Sequence, residues 1–110
     1  MSPLNQKMCT PCKGGMSPLK EEEIDVLRPQ VPQWEVVNNH HLEKTFPCKN
    51  FVEAMALANQ VATLAEQENH HPDLLIKYGS LTITIWTHKI EGLHENDFIL
   101  AAKCDAIAPD

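Results

Sequence analysis

Three histidines, His70, His71 and His88, with the acids Glu66 and Asp97, are the residues of this chain best suited to chemistry. An imidazole with an unperturbed pKa of about 6.5 can give or take a proton near neutrality, and a neighbouring carboxylate can orient its ring. Glu66 stands four residues before His70, a spacing that would place both on one face of a helix. If Gly79 and Ser80 form the whole loop of a hairpin, Tyr78 opposes Leu81 and, counting outwards, His71 opposes His88. Directly opposed residues share a face, with Cβ atoms about 4.5–5.5 Å apart. His70, His71 and His88 are therefore expected at one corner.

Each of these residues has a plainer reading. A lone histidine on an acidic surface is ordinarily a solvated side chain, and that reading is kept for His40, His41 and His94. Asp97, near the start of a last helix, would be stabilised by the helix dipole and free N–H groups whatever its chemistry. Trp86 and Tyr78 could pack the hairpin; on an open polar face, Trp86 could instead flank a flat ligand. Metal binding is the sharper rival, with Asp97 as an added oxygen ligand, but adjacent histidines rarely turn both rings into one site. No His-x-x-x-His pair or HExxH helix is present. Cys9-Thr10-Pro11-Cys12 could be half a zinc site or a redox pair. No second CxxC accompanies it, and it precedes Lys13-Gly14-Gly15 rather than opening a helix, so two free thiols are expected.

The elements that must position these groups follow from pattern. Residues 1–15 carry Pro, Gly, Lys and Cys without apolar periodicity and read as a flexible leader, with the globular domain over 16–110. Ser17 and Pro18 can open a short helix whose stripe is Leu19, Ile24 and Leu27, stopped by Pro29. Trp34 to Val37 and His41 to Phe46 read as strands around the trio Asn38, Asn39 and His40. Asn50 and Glu53 resemble a capping box, followed by Phe51, Ala54, Met55, Ala58, Val61, Ala62 and Ala65 at helical spacing. Leu74 to Tyr78 and Leu81 to His88 form the second strand pair, with Leu81, Ile83 and Ile85 alternating against Thr82, Thr84 and Trp86. A last helix is expected from about Glu95 to Ile107, although His94 is a poor N-cap. The order helix-strand-strand-helix-strand-strand-helix predicts an α+β fold, a four-stranded antiparallel sheet with helices packed on one face.

Bulk properties narrow the function classes. The 110 residues fit one domain, and a formal charge of -6 without a basic patch argues against nucleic-acid binding. No run has the length of a membrane span, and the first twenty residues lack the apolar centre of a signal peptide. A cytoplasmic location, with thiols reduced, is expected.

The series Glu66-x3-His70-His71-Pro72-x5-Tyr78-x9-His88-x8-Asp97 resembles the signature of the pterin-4a-carbinolamine dehydratases, and the likeness extends from about Leu19 to Ile107. The resemblance implies a cofactor-free, metal-free hydro-lyase that dehydrates 4a-hydroxytetrahydropterin to quinonoid dihydropterin in tetrahydropterin recycling. It implies a homodimer or homotetramer, linked in function to a tetrahydropterin-dependent aromatic amino acid hydroxylase. Carried over by position, it makes His70 and His88 the acid/base pair and His71 the substrate-orienting histidine. Glu66 then supports His70, and Asp97 completes the pocket or holds the last helix against it. Two other readings stand beside it. One is a protein-interaction module on the same scaffold, since some animal members of that family bind a homeodomain transcription factor. The other is a small metal-binding protein using Cys9, Cys12 and histidines.

Overall fold

The computed structural model describes residues 3–10 and 17–108. It contains helix α1 (Glu21–Leu27), strands β1 (Glu35–Val37) and β2 (His41–Pro47), and helix α2 (Phe51–Glu68). Strands β3 (Asp73–Lys77) and β4 (Ser80–Ile85) and helix α3 (Glu95–Ile107) complete it. The four strands form one antiparallel sheet in the order β1-β2-β4-β3. The α+β architecture expected from the sequence is therefore present.

Alternation decides which face of the sheet is covered. Leu81, Ile83 and Ile85 of β4 and Leu42 and Phe46 of β2 are buried, together with Ala54, Leu57, Ala58, Val61 and Ala65 of α2 and Phe98, Ile99, Leu100, Ala101 and Cys104 of α3. Leu57 joins the buried stripe of α2, while Phe51 stays half exposed. The opposite face is polar: Thr45 and Thr82 hydroxyls meet at 2.8 Å, and Thr84 Oγ1 donates to Glu43 at 3.3 Å.

Local chemistry sets the ends of the elements. Asn38 and Asn39 take positive φ (54° and 53°), a conformation Asn tolerates, and His40 N–H closes the turn on Val37 O at 2.9 Å. Asn50 caps α2 by accepting the Glu53 N–H at 2.9 Å, whereas the Glu53 side chain accepts from Lys49. α1 begins at Glu21, later than Ser17-Pro18 suggested. Leu19 N–H is spent on Leu93 O (2.8 Å), which ties this stretch to the segment before α3. Pro18 lies against Gly92, where an added Cβ would fall 2.6 Å from the proline ring.

The hairpin register also differs from expectation. Lys77 opposes Ser80 and Ile76 opposes Leu81, so the two loop residues are Tyr78 and Gly79. The partner sum drops by two relative to a Gly79-Ser80 loop. Side-chain faces are preserved because the strand period is two, but His71 and His88 are not ladder partners. β4 ends at Ile85; the chain then returns on itself through a Thr87–Gly92 bridge enclosing a 3-10 turn at His88–Ile90.

Candidate active site

α2 stops at Glu68, and Asn69 adopts the left-handed conformation (φ 51°) that commonly ends a helix. The chain therefore leaves the helix axis before His70, and the four-residue relation between Glu66 and His70 is lost. Glu66 Oε2 instead meets His71 Nε2 at 2.5 Å, on the exposed side of the corner. His70, with 12% of its side chain exposed, turns towards α3 and places Nε2 2.6 Å from Asp97 Oδ1.

Asp97 is wholly buried and has three partners. Its Oδ2 accepts the His94 backbone N–H (2.8 Å) and the Thr87 hydroxyl (2.8 Å), while Oδ1 faces His70. His94 Nδ1 accepts the Asn96 N–H at 3.1 Å. The histidine that looked like a poor cap thus shares a reciprocal cap with Asp97, and α3 starts where the sequence placed it. Since an ionised carboxylate only accepts, the proton between His70 and Asp97 belongs on Nε2, which leaves Nδ1 of a neutral His70 as its basic nitrogen.

His88 is exposed and stacks on Trp86 (centroids 3.9 Å apart, 29° between planes). The indole also meets His40 at 4.4 Å, and His40 and His41 face each other through Nδ1 at 3.0 Å. These two histidines are half-buried members of an aromatic row rather than free surface groups. Trp86 reaches the site through the His88 ring it supports.

His70, His71 and His88 line one cavity of about 310 Å³, at the small end of the roughly 300–1,000 Å³ of ligand pockets. The corner forecast from a ladder is thus assembled by a helix end and a turn instead. Glu68, Thr87 and Asn96 line it too, as do Cys9 and Thr10 of the N-terminal segment. Sequence reasoning passed over Glu68, Thr87 and Asn96, and read Cys9 and Thr10 only as part of a CxxC motif in a leader. Only the buried start of α3, adjacent to Asp97, carried a signal for Asn96. A larger cavity of about 700 Å³ lies between β2, α2 and α3, but no histidine lines it, and its Lys44 and Asp105 are already paired at 2.7 Å.

Two titrations around the site are shifted. Burial opposes charge on Glu68, but hydrogen bonds from Lys103 Nζ (2.8 Å) and the Cys9 N–H (2.9 Å), with the lysine charge, bring its carboxyl below the usual value. Burial, and next the Glu68 charge, push the Cys9 thiol up to about 12. Cys12 lies outside the described residues, and the described cysteines, Cys9, Cys48 and Cys104, are free. Among the described residues no group of three or more His, Cys, Asp or Glu side chains is placed to hold a metal ion, and no helix is long and apolar enough to cross a membrane.

The family model described as pterin 4 alpha carbinolamine dehydratase matches residues 17–107. The chain belongs to this family. A relative from Rubrobacter xylanophilus is 52% identical over 97% of this chain and 100% of its own length. Others from Alkaliphilus metalliredigens (48%, over 96% of each chain) and Rickettsia canadensis (50%, over 96% of this chain and 98% of its own) are similar. All three are named, provisionally, pterin-4-alpha-carbinolamine dehydratases. A crystal structure of a protein titled transcriptional coactivator/pterin dehydratase, from Brucella melitensis, superposes with a TM-score of 0.78 at 30% identity. It covers 84% of this chain and 100% of its own. Within the pterin 4 alpha carbinolamine dehydratase family, this member sets its paired histidines against two different carboxylates.

Proposed function

We propose that the protein is a pterin-4a-carbinolamine dehydratase, converting 4a-hydroxytetrahydropterin to quinonoid dihydropterin and water. The observation that carries this reading is the His70–Asp97 pair at the wall of a small cavity shared with His71 and His88. The reaction breaks the C4a–O bond, removes the N5 proton and turns the N5–H electron pair into the N5=C4a double bond. The hydroxyl leaves with one added proton, so the step is redox-neutral and needs one base and one acid.

His70 is the base in this scheme. Its Nε2–H is held by Asp97, its Nδ1 takes the N5 proton, and the same carboxylate stabilises the imidazolium that results. His88, open to solvent and steadied by Trp86, delivers a proton to the departing hydroxyl. His71, paired with Glu66, orients the substrate. Correct placement of a general acid or base contributes about 10²–10⁴ in rate.

The family membership supports a pterin as the substrate class and a functional link to a tetrahydropterin-dependent aromatic amino acid hydroxylase in the cytoplasm. Self-association into a homodimer or homotetramer is part of the same reading. Strand β3 lies at a sheet edge, and Leu75 within it and Tyr78 just after it are exposed.

The test is purified protein added to freshly generated 4a-hydroxytetrahydropterin, with dehydration followed by absorbance. Acceleration over buffer is expected; a rate equal to buffer overturns the proposal.

A further inference from the structure

The family match begins at residue 17, yet residues 3–10 are built into the structure beside the histidine cavity. The segment is fastened along its length. Leu4 is buried in the core, with its N–H on Gln30 Oε1 at 3.0 Å, and Lys7 pairs with Glu95 at 2.9 Å. At the cavity the bonds multiply. Cys9 N–H donates to Glu68 Oε1 (2.9 Å), and the Cys9 thiol reaches Asn96 O (3.6 Å). Thr10 N–H donates to Asn96 Oδ1 (2.9 Å) while Thr10 O accepts from Asn96 Nδ2 (2.6 Å). Asn96 thus pairs with the Thr10 backbone as another peptide group would, and Glu68, bound also to Lys103, holds the residue before it.

We propose that Cys9 and Thr10 form a substrate-binding wall of the histidine cavity, with Asn96 and Glu68 as the positioning residues that hold it. The inference rests on the dehydratase reading and deepens it. Cys9 and Thr10 line the same cavity of about 310 Å³ as the three histidines. A ring system that fills so small a space lies against them. The chemistry is suitable as well: the pyrimidine edge of a pterin carries amide, amidine and amino groups, which pair with a carbonyl such as that of Cys9 and a hydroxyl such as that of Thr10, while the N–H groups of both residues and the Thr10 carbonyl hold the wall in place. Fixing this wall in advance lowers the ordering cost of binding, so its release should weaken substrate binding more than it slows the chemical step.

Two variants loosen the wall differently. Asn96→Ala removes both bonds to Thr10 from the α3 side, and Thr10→Pro removes the donor from the segment itself while leaving α3 intact. For each, kcat and KM for dehydration are measured beside the rate at which iodoacetamide labels Cys9, resolved by peptide mass spectrometry. The held thiol is half-buried and kept protonated beside Glu68, so release should speed labelling by several-fold or more. KM should rise roughly three- to tenfold, the scale of one or two hydrogen bonds, with kcat within about twofold of the parent. Faster labelling with an unchanged KM overturns the proposal, as does a fall in kcat at constant KM. Unchanged labelling in both variants also overturns it, since Asn96 would not be holding the wall. A parent protein without dehydratase activity is a different failure: it removes the function on which the inference rests.

Discussion

His70 and Asp97 stand 27 residues apart in sequence and 2.6 Å apart in space, and the carboxyl group that meets the imidazole also fastens the first turn of α3. In the proposed mechanism, the site's proton chemistry depends on the same side chain that docks its last helix. His70→Ala should lower kcat by about 10²–10⁴-fold, measured by the dehydration assay. Asp97→Asn should do comparable damage by another route. An amide nitrogen placed at Oδ1 donates to Nε2 and forces the His70 proton onto Nδ1, the wrong tautomer for a base. Nitrogen chemical shifts of His70 would report that exchange directly.

Thr87 separates the two duties of Asp97. Thr87→Val removes only the hydroxyl that donates to Oδ2 and leaves the Oδ1 contact to His70 in place. A thermal or urea melt should show a loss of about 1–3 kcal/mol, the cost of leaving a buried acceptor short of a partner. The kcat at a temperature well below the transition should stay within a few-fold of the parent.

Trp86 should act on the reaction through His88. Replacing the indole by leucine removes a stacked ring worth about 0.5–1.5 kcal/mol, so kcat should fall about two- to tenfold. Trp86→Phe keeps an aromatic face and should recover most of the rate. A merely structural role would show instead as matched losses of stability in both variants.

Glu68 sets a pH dependence of stability. Its carboxyl is depressed in the folded chain, so the unfolded chain binds the proton more readily. The stabilisation is complete above the ordinary glutamate value of about 4.3 and is lost as pH falls through the lower folded value. Glu68→Gln should therefore unfold at lower urea than the parent at pH 7, and the gap should narrow below about pH 4.

Gly92 is placed to test the coupling of the segment before α1 to the site loop. An alanine Cβ would lie 2.6 Å and 2.9 Å from two Pro18 ring carbons, so one segment must move. Gly92→Ala should cost about 1–3 kcal/mol by calorimetry.

The sequence made some of this legible and hid the rest for definable reasons. α3 was readable because apolar spacing and an acidic first turn agree, and its true cap differs from expectation only in using an imidazole. The histidine corner was predicted in the right place by a count that does not hold, since the loop is Tyr78-Gly79 and β4 ends before Trp86. Pairing Glu66 with His70 assumed a helix that continues, whereas the left-handed Asn69 breaks the periodicity and hands Glu66 to His71. Glu68 and Asn96 were invisible because their partners lie 59 and 86 residues away, in a leader with no periodic signal.

The double attachment of Asp97 also makes the readiness of the site depend on the docking of α3. Until α3 has docked, the carboxylate is not in place, His70 has no fixed tautomer, and the corner cannot accept a proton in a defined direction. On the proposed mechanism a partly unfolded chain is chemically silent towards a labile hydroxypterin, so loss of activity on heating should coincide with, rather than precede, the melting of α3.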